Sequence, residues 1–226
     1  MDDNLSLSEK IKERYRSMYT GVFYRRYILG LWAMAEGIIY DMFDTAKHVI
    51  SNLSELTNAN CYVSCDYGTQ NATVFLLWCK DRLGRWVCCR EYYYSGRDEE
   101  RQKTDTEYAD DLEQWLDGIK PVKMVIDPSA ASFIAELKKR GYAIKKAKND
   151  VLDGIRFVAS LLNQGKIAIS DQCPNTIKEF GSYIWDQKAS ERGEDKPVKQ
   201  HDHAMDALRY FCYTIIRKPG SISILK

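Results

Sequence analysis

Residues 61–94, "CYVSCDYGTQNATVFLLWCKDRLGRWVCCREYYY", decide the fold. Three apolar stretches, "CYVSCD", "ATVFLLWCK" and "WVCCREYYY", are separated by the short turns "YGTQN" and "DRLGR". Short turns join antiparallel neighbours, whereas parallel strands need a long crossover. The stretch therefore predicts an antiparallel meander of three strands, the first of which ends at Asp66.

Helix and strand patterns alternate after this meander. "TDTEYADDLEQWLDG" reads as a helix that Thr104 or Thr106 can cap, and "PVKMVID" reads as a strand that ends in Asp127. The predicted order is βββ-α-β-α-β-α-β-α-α. It indicates an α/β protein with a mixed sheet, antiparallel in the meander and parallel beyond it, and with helices on both faces. The succession resembles the ribonuclease H-like architecture, although alternation alone also allows other α/β folds.

The flanking segments are less regular. "GVFYRRYILGLWAMAEGIIYDMF" has no clean period and fits a packed connecting arm, and "SNLSELTNAN" reads as a polar loop. "WDQKASERGEDKPVKQ" reads as a loop or small exposed hairpin, and the last helix is predicted from about Asp202 to Arg217. The expected division is an arm over 1–57, a ribonuclease H-like domain over 58–218 and a tail over 219–226.

Composition narrows the class of protein. A hydrophobic content of 45% supports a full core, and a net charge of +1 does not by itself indicate a polyanionic partner. The seven cysteines form no CxxC pair, so a structural zinc site is not expected. The sequence has no signal peptide and no apolar run long enough to span a bilayer. These features predict a reduced, cytosolic, soluble domain without a membrane partner.

Three aspartates are placed where they can converge. Asp66 and Asp127 each follow an apolar strand, and Asp206 lies near the start of the last helix. If the two strands are neighbours and the helix crosses the same edge, three carboxylates meet there, and they require a positive partner. Hard divalent cations are the usual partner, and two ions about 3.5–4 Å apart catalyse phosphodiester hydrolysis. Each aspartate taken alone is also a common turn or cap residue.

"HDHAMDAL", residues 201–208, concentrates titratable groups in the first turn of this helix. His203 lies three positions before Asp206 on the same helical face, and we expect it to ligate a metal, relay a proton or orient Asp206. A surface or capping role for His203 is an alternative. Asp202 shares that face as a fourth candidate ligand, but its position favours the helix N-cap.

The sequence resembles a known family. "YVSCDYGTQNATVFLLW", "MVIDPSAASFIAELKKRGY", "GIRFVASLLNQGKIAIS" and "DHAMDALRYF" resemble the C-terminal nuclease domain of tailed-phage terminase large subunits, in particular the PBSX-like group. The arm resembles the segment that joins the motor ATPase to that nuclease. The resemblance extends from about residue 20 to 218.

The resemblance implies a metal-dependent endonuclease that cuts concatemeric double-stranded DNA during packaging. It implies Asp66, Asp127 and Asp206 as catalytic metal ligands for Mn²⁺ or Mg²⁺, with His203 near the site and Asp202 beside it. The implied partners are an N-terminal ATPase motor, the terminase small subunit and the portal, and the implied location is the host bacterial cytoplasm. No GxxxxGK[ST] phosphate loop is present. We therefore expect the nuclease domain alone, beginning in the linker and monomeric in isolation.

A basic stretch before the last helix is a candidate DNA contact. Lys188, Arg192, Lys196 and Lys199 lie in "DQKASERGEDKPVK". Lysine and arginine there would hold the phosphate backbone without reading sequence, although a solvated surface explains any one of them.

Three other functions remain open at the level of sequence. A junction resolvase, RNase H or integrase-like nuclease would keep the fold and change the substrate. "DYGT" resembles the phosphate turn of actin-like and sugar-kinase ATPases, but those proteins need a duplicated core and a second glycine-rich loop. A non-catalytic DNA-packaging interaction module would carry the same acidic residues without cleavage.

Overall fold

The predicted meander lies at the centre of a seven-stranded mixed sheet in the computed structural model of the protein, which describes residues 7–54, 56–69 and 71–217. The strands are β1 (Val49–Ile50), β2 (Leu56–Asp66), β3 (Ala72–Asp81), β4 (Trp86–Ser95), β5 (Lys123–Ile126), β6 (Ile144–Lys146) and β7 (Ile167–Ser170). Their order is β1-β7-β4-β3-β2-β5-β6. The β2–β3 and β3–β4 pairs are antiparallel and the other pairs are parallel, which confirms the predicted α/β fold class.

Helices cover both faces of the sheet. They are α1 (Glu9–Met18), α2 (Gly21–Tyr27), α3 (Thr45–His48), α4 (Asp105–Leu116), α5 (Ala131–Lys139), α6 (Val151–Asn163), α7 (Pro174–Ser182), α8 (Gln187–Glu191) and α9 (His203–Phe211). Buried side chains of α4 and α5 form one core with the sheet, and those of α6, α7 and α9 form a core on the opposite face. The arm belongs to this second core through Phe23 and Tyr40, whereas its Trp32 is fully exposed.

The register of β2 and β5 brings two aspartates to one edge. Cys65 of β2 lies opposite Ile126 of β5 in a parallel pair. Asp66 is the last residue of β2 and Asp127 is the first residue after β5, so both lie at the carboxyl ends of neighbouring strands. This is the neighbour relation on which the proposed convergence of the two aspartates depended.

Aromatic packing fixes helix α9 across the same part of the sheet. Phe211 stacks on Trp78 of β3 with 4.4 Å between ring centroids. The indole Nε1 of Trp78 donates to Oγ of Ser64 on β2 at 3.0 Å, so this buried ring has its polar atom satisfied. The apolar face of α9 is thereby held over β2 and β3, and its first turn lies beside Asp66.

Several boundaries differ from the sequence prediction. The loop predicted over 51–60 is partly strand, because β2 begins at Leu56 and pairs with the long strand β3. The arm contains the helix α2, and the segment predicted as a loop or hairpin contains the short helix α8, which Asp186 caps through Ala189 N. These elements are short and are held by tertiary contacts, so they leave little periodicity in the sequence.

The two ends of the domain need a further correction. The last helix ends as an α-helix at Phe211 and continues as a π-helical turn over Cys212–Ile216. The two-residue strand β1, which pairs in parallel with β7, was not predicted. The tail over 219–226 lies outside the described residues, and the division at residue 57 stays a prediction.

Two expectations from composition can be compared with the structure. All seven cysteines are buried and free, which agrees with the expectation of a reduced domain. Within the described ranges, no helix combines the length and apolarity needed to span a membrane.

Candidate metal centre

A cavity of about 450 Å³ opens at the carboxyl end of β2. Its wall contains Asp66 from the strand and three residues around the start of α9, which are Asp202, His203 and Asp206. Lys199 lies on the loop before the helix and lines the same cavity. The two halves of the predicted site therefore meet, because the strand end and the first turn of the helix face one space.

Asp66 is the most strongly perturbed carboxyl of the group. Burial raises the pKa of Asp66 to about 6, and the nearby carboxylates of Asp206 and Asp202 add to the rise. His203 opposes it, because its Nδ1 lies 2.9 Å from Oδ2 of Asp66. Burial works to lower the pKa of His203, but the contact with Asp66 and the charges of Asp202 and Glu179 together outweigh burial and leave that pKa raised. The contact between Asp66 and His203 therefore favours the charged form of each side chain.

Asp206 is held by two cations. Its Oδ1 accepts a hydrogen bond from Nη2 of Arg209 at 2.8 Å, and its Oδ2 lies 3.3 Å from Nζ of Lys199. Arg209 is 2% exposed, and its Nη1 also donates to the carbonyl oxygen of Asn149 at 3.0 Å. The Asp206 carboxylate is consequently fixed on its buried side by the Arg209 guanidinium, and on the cavity side it faces the Lys199 ammonium.

Asp202 occupies the N-cap position of α9 but does not cap it. Its side chain makes no capping hydrogen bond, contrary to the role that its position favoured in the sequence. Oδ2 of Asp202 is buried and forms an ion pair with Nζ of Lys199 at 3.2 Å, without a directional hydrogen bond. Its carboxylate therefore belongs to the cavity, and the helix terminus is satisfied by another residue.

Asp127 is next to Asp66 in the sheet but is held differently. Its Oδ1 accepts from Ser129 N at 2.8 Å, and its Oδ2 accepts from Nδ2 of Asn149 at 3.2 Å. Burial favours a higher pKa, but these hydrogen bonds and one from Tyr210 outweigh it, so the pKa of Asp127 is lowered. Asp127 does not line the cavity that contains the other three aspartates.

Sequence reasoning missed the residues that support the site. Arg209 stands three positions after Asp206, so helical spacing was a usable signal for this ion pair. Gly154 of α6 leaves space for the Arg209 side chain, because a Cβ at this position would lie 2.6 Å from the Arg209 Cγ. Glu179 of α7, which accepts from the Ala204 amide at 2.8 Å, had no local signal.

The four predicted DNA contacts separate into two groups. Lys199 lies at the cavity, where it pairs with two carboxylates. Lys188 and Arg192 are exposed on and beside α8, and Lys196 is exposed and pairs with Glu194. None of these three lines the cavity.

The donor chemistry of the cavity suits a hard divalent cation. Asp66, Asp202 and Asp206 offer carboxylate oxygens, and the buried Oδ2 of Asp202 has no hydrogen-bond partner. Among the residues that the structure describes, no three His, Cys, Asp or Glu side chains already surround one point closely enough to hold an ion. The ammonium of Lys199 lies between two of the carboxylates, so an ion at that position requires its displacement.

Comparison with known proteins places the chain in a family. The sequence model of the terminase RNaseH-like domain matches residues 85–213. The large terminase subunit of Escherichia phage T5 is 27% identical over 218 residues, which cover 92% of this chain and 48% of that protein.

Solved structures give the same result. The large terminase of a thermophilic bacteriophage, in complex with ADP, is 57% identical with a TM-score of 0.90, over 95% of this chain and 54% of its own. The nuclease domain of the bacteriophage SPP1 large terminase, with bound Mn, shares the fold at 20% identity and a TM-score of 0.51, over 73% of this chain and 94% of its own. This chain spans about half the length of the first two relatives. It belongs to the terminase RNaseH-like domain family.

Proposed function

We propose that this chain is the nuclease domain of a phage terminase large subunit and hydrolyses phosphodiester bonds of double-stranded DNA with the help of divalent metal, as two Mn²⁺ or Mg²⁺ ions. The observation that carries the proposal is the cavity where the end of β2 meets the first turn of α9. The carboxylates of Asp66, Asp202 and Asp206 and the imidazole of His203 are among the groups that line it, in a chain of this family. Such a concentration of negative charge favours cations over an anionic substrate until a cation is bound.

The residues divide the work as follows. Asp66, Asp202 and Asp206 would hold the cation, and Asp127 would join them from the neighbouring strand end after its carboxylate leaves the Ser129 amide. A divalent cation bound there supplies Lewis-acid stabilisation for the charge that develops on the phosphate.

The remaining polar groups of the site orient side chains or neutralise the charge of the carboxylates. Arg209 fixes the orientation of Asp206 from the buried side, and His203 is oriented by Asp66 so that it can hold or move a proton at the cavity. Lys199 neutralises the carboxylates before metal binds. Once displaced, its ammonium is free to meet a phosphate.

The relatives support a proposal about the wider role. We infer that the full protein joins this domain to an ATPase motor and acts in DNA packaging with the terminase small subunit and the portal, in the host bacterial cytoplasm. The isolated chain is expected to be a monomer. Lys188, Arg192 and Lys196 stay candidate contacts for the DNA backbone, because all three are exposed in the segment that leads to α9.

Plasmid cleavage tests this proposal. Supercoiled plasmid would be incubated with the chain and Mn²⁺ or Mg²⁺, beside an EDTA control and the variants Asp66→Asn and Asp206→Asn. Asp110→Asn is the matched control, because it removes a carboxylate from an exposed position on α4. We expect cleavage by the wild type and the control, and none with EDTA or in the two site variants. Cleavage that survives both substitutions would contradict the site.

A non-catalytic packaging module is the rival, and one observation favours it. Lys199 already satisfies two of the carboxylates, and the described side chains form no preassembled ion site. If the folded chain binds no Mn²⁺ and cuts no DNA with either metal, alone or joined to its motor half, the rival is correct. Titration of Mn²⁺ by its electron paramagnetic resonance signal separates the two cases before any DNA is added.

A further inference from the structure

The first turn of helix α9 is buried, so water cannot satisfy its free backbone amides. Ala204 is 0% exposed and Met205 is 1% exposed. The first amides of any helix have no partner within the helix, and a buried terminus must find acceptors elsewhere. The N-cap residue Asp202, whose side chain usually supplies one, makes no such bond here.

Glu179 of helix α7 supplies the missing acceptor. Its Oε2 accepts from Ala204 N at 2.8 Å and from Met205 N at 3.2 Å. Glu179 is only 4% exposed, so it approaches the helix terminus from inside the protein. A carboxylate at this end also complements the helix dipole.

Strand β4 fixes the position of Glu179 at two points. Tyr93 donates its hydroxyl to Oε1 of Glu179 at 3.0 Å. Two residues earlier in β4, Glu91 accepts from Asn175 N at 2.8 Å and from Thr176 N at 2.9 Å, which caps α7 itself. The start of α9 is therefore tied to the sheet through α7 and strand β4.

This arrangement decides what Asp202 can do. Aspartate at an N-cap position normally turns its carboxylate toward the second or third amide of the helix. Because Glu179 already occupies those amides, the Asp202 carboxylate remains directed at Lys199, with a buried oxygen that lacks a hydrogen bond. Without Glu179, Asp202 stands at the N-cap position from which an aspartate usually accepts from these amides, and capping would withdraw its carboxylate from the cavity.

We infer that Glu179 is a positioning residue of the metal site: it caps α9 from the neighbouring helix and thereby keeps the Asp202 carboxylate available as a ligand. The inference rests on the proposed function, since it assigns a supporting residue to the same site.

Mn²⁺ affinity, measured by electron paramagnetic resonance on the full chain, is the first test. We expect Glu179→Ala to weaken Mn²⁺ binding by about 10- to 100-fold, the range for residues that orient metal ligands. Glu179→Gln should stay within about threefold of the wild type, because an amide oxygen can still accept from both backbone amides. Thr104→Ala removes the cap of α4 on the opposite face and should leave Mn²⁺ affinity unchanged. Wild-type affinity in a folded Glu179→Ala chain would overturn the inference.

A crystal structure of Glu179→Ala without metal gives a second, independent test. The expected result is an Asp202 side chain that accepts from the amide of Ala204 or Met205. An Asp202 carboxylate that still faces Lys199 would overturn the inference even if Mn²⁺ binding were weaker. A wild type that binds no Mn²⁺ would contradict the proposed function, whereas this structure would still decide the role of Glu179.

Discussion

Asp66 and Asp127 look alike in the sequence and differ in almost every physical respect. Each is the first charged residue after an apolar strand, and the two strands are neighbours in the sheet. The carboxyl of Asp66 has a raised pKa because it is buried, and its hydrogen-bond partner His203 is 137 positions away. The carboxylate of Asp127 has a lowered pKa and is held by the amide of Ser129, two positions away.

The difference shows that a strand-end aspartate can be stabilised in place by its own turn or kept at a cost by the tertiary structure. Asp127 accepts hydrogen bonds that favour its charged form, from its own turn at Ser129 and from the more distant Asn149 and Tyr210. Burial disfavours the charged form of Asp66, and His203 of α9 is the group that favours it. A residue retained against its own electrostatic preference is the stronger candidate for function.

The largest effect should come from removing either carboxylate. If both residues are ligands, Asp66→Asn and Asp127→Asn should each reduce the rate of metal-dependent plasmid cleavage by about 100-fold or more. The measurement is initial cleavage rate at saturating Mn²⁺, with Asp110→Asn as the control. Full activity in a folded Asp127→Asn chain would contradict a ligand role for Asp127, which would then act only as a turn residue.

A second prediction concerns the support of Asp206 on the α9 side. Gly154→Ala places a Cβ 2.6 Å from Cγ of the buried Arg209, whose guanidinium is fixed at both ends. We expect a loss of about 1–2 kcal/mol in unfolding free energy and weaker Mn²⁺ binding.

Gly181→Ala is the matched control, since it adds the same methyl group to a helix where nothing lies within 4 Å. It should gain about 0.5–1 kcal/mol in unfolding free energy. Equal effects of the two substitutions in urea denaturation would show that Arg209 does not need the space at Gly154.

The third prediction sharpens the comparison through the sign of a stability change. In metal-free buffer at pH 8, Asp66→Asn should raise the free energy of unfolding by about 1 kcal/mol. Its folded pKa lies above the unfolded value, so the charged form is disfavoured in the folded state. Asp127→Asn should lower it by about 0.5–1.5 kcal/mol, because the charged form is favoured by hydrogen bonds that the fold supplies. Urea denaturation measures both, and changes of the same sign would contradict the contrast.

The smallest expected effect is the pH dependence of stability that comes from Glu179, which contacts the start of α9. Burial raises the pKa of Glu179 to about 7, although hydrogen bonds from Met205, Tyr93 and Ala204 oppose the rise. As the pH falls, Glu179 therefore binds a proton in the folded state before it does so in the unfolded state. The free energy of unfolding should consequently increase as the pH falls from 8 to 6. Relative to Glu179→Gln, the wild type should gain about 0.5–1 kcal/mol over that interval. Parallel pH profiles of the thermal midpoint in the two proteins would contradict the assignment.

The sequence predicted those parts of the molecule that local physics determines. The meander followed from short turns between apolar strands. The sequence offered Thr104 or Thr106 as the cap of α4, and the structure uses Thr104, in a capping box with Glu107. Both strand-end aspartates were predicted by the same local reasoning. The contacts of Asp66 with His203, and of Glu179 with the amides of α9, join distant positions, and no spacing in the sequence marks them. Asp202 was interpreted as a cap from its position at the start of α9. The interpretation was wrong because the acceptor that occupies those amides, Glu179, lies on another helix.

The separation between strand β2 and helix α9 also has a kinetic meaning. His203 stands 137 positions after Asp66, and closing so long a loop costs chain entropy that only the finished packing repays. The β3–β4 turn closes over a few residues, so we expect the meander to form early and α9 to dock late. A partly folded chain therefore carries every aspartate of the proposed site before the site itself is assembled.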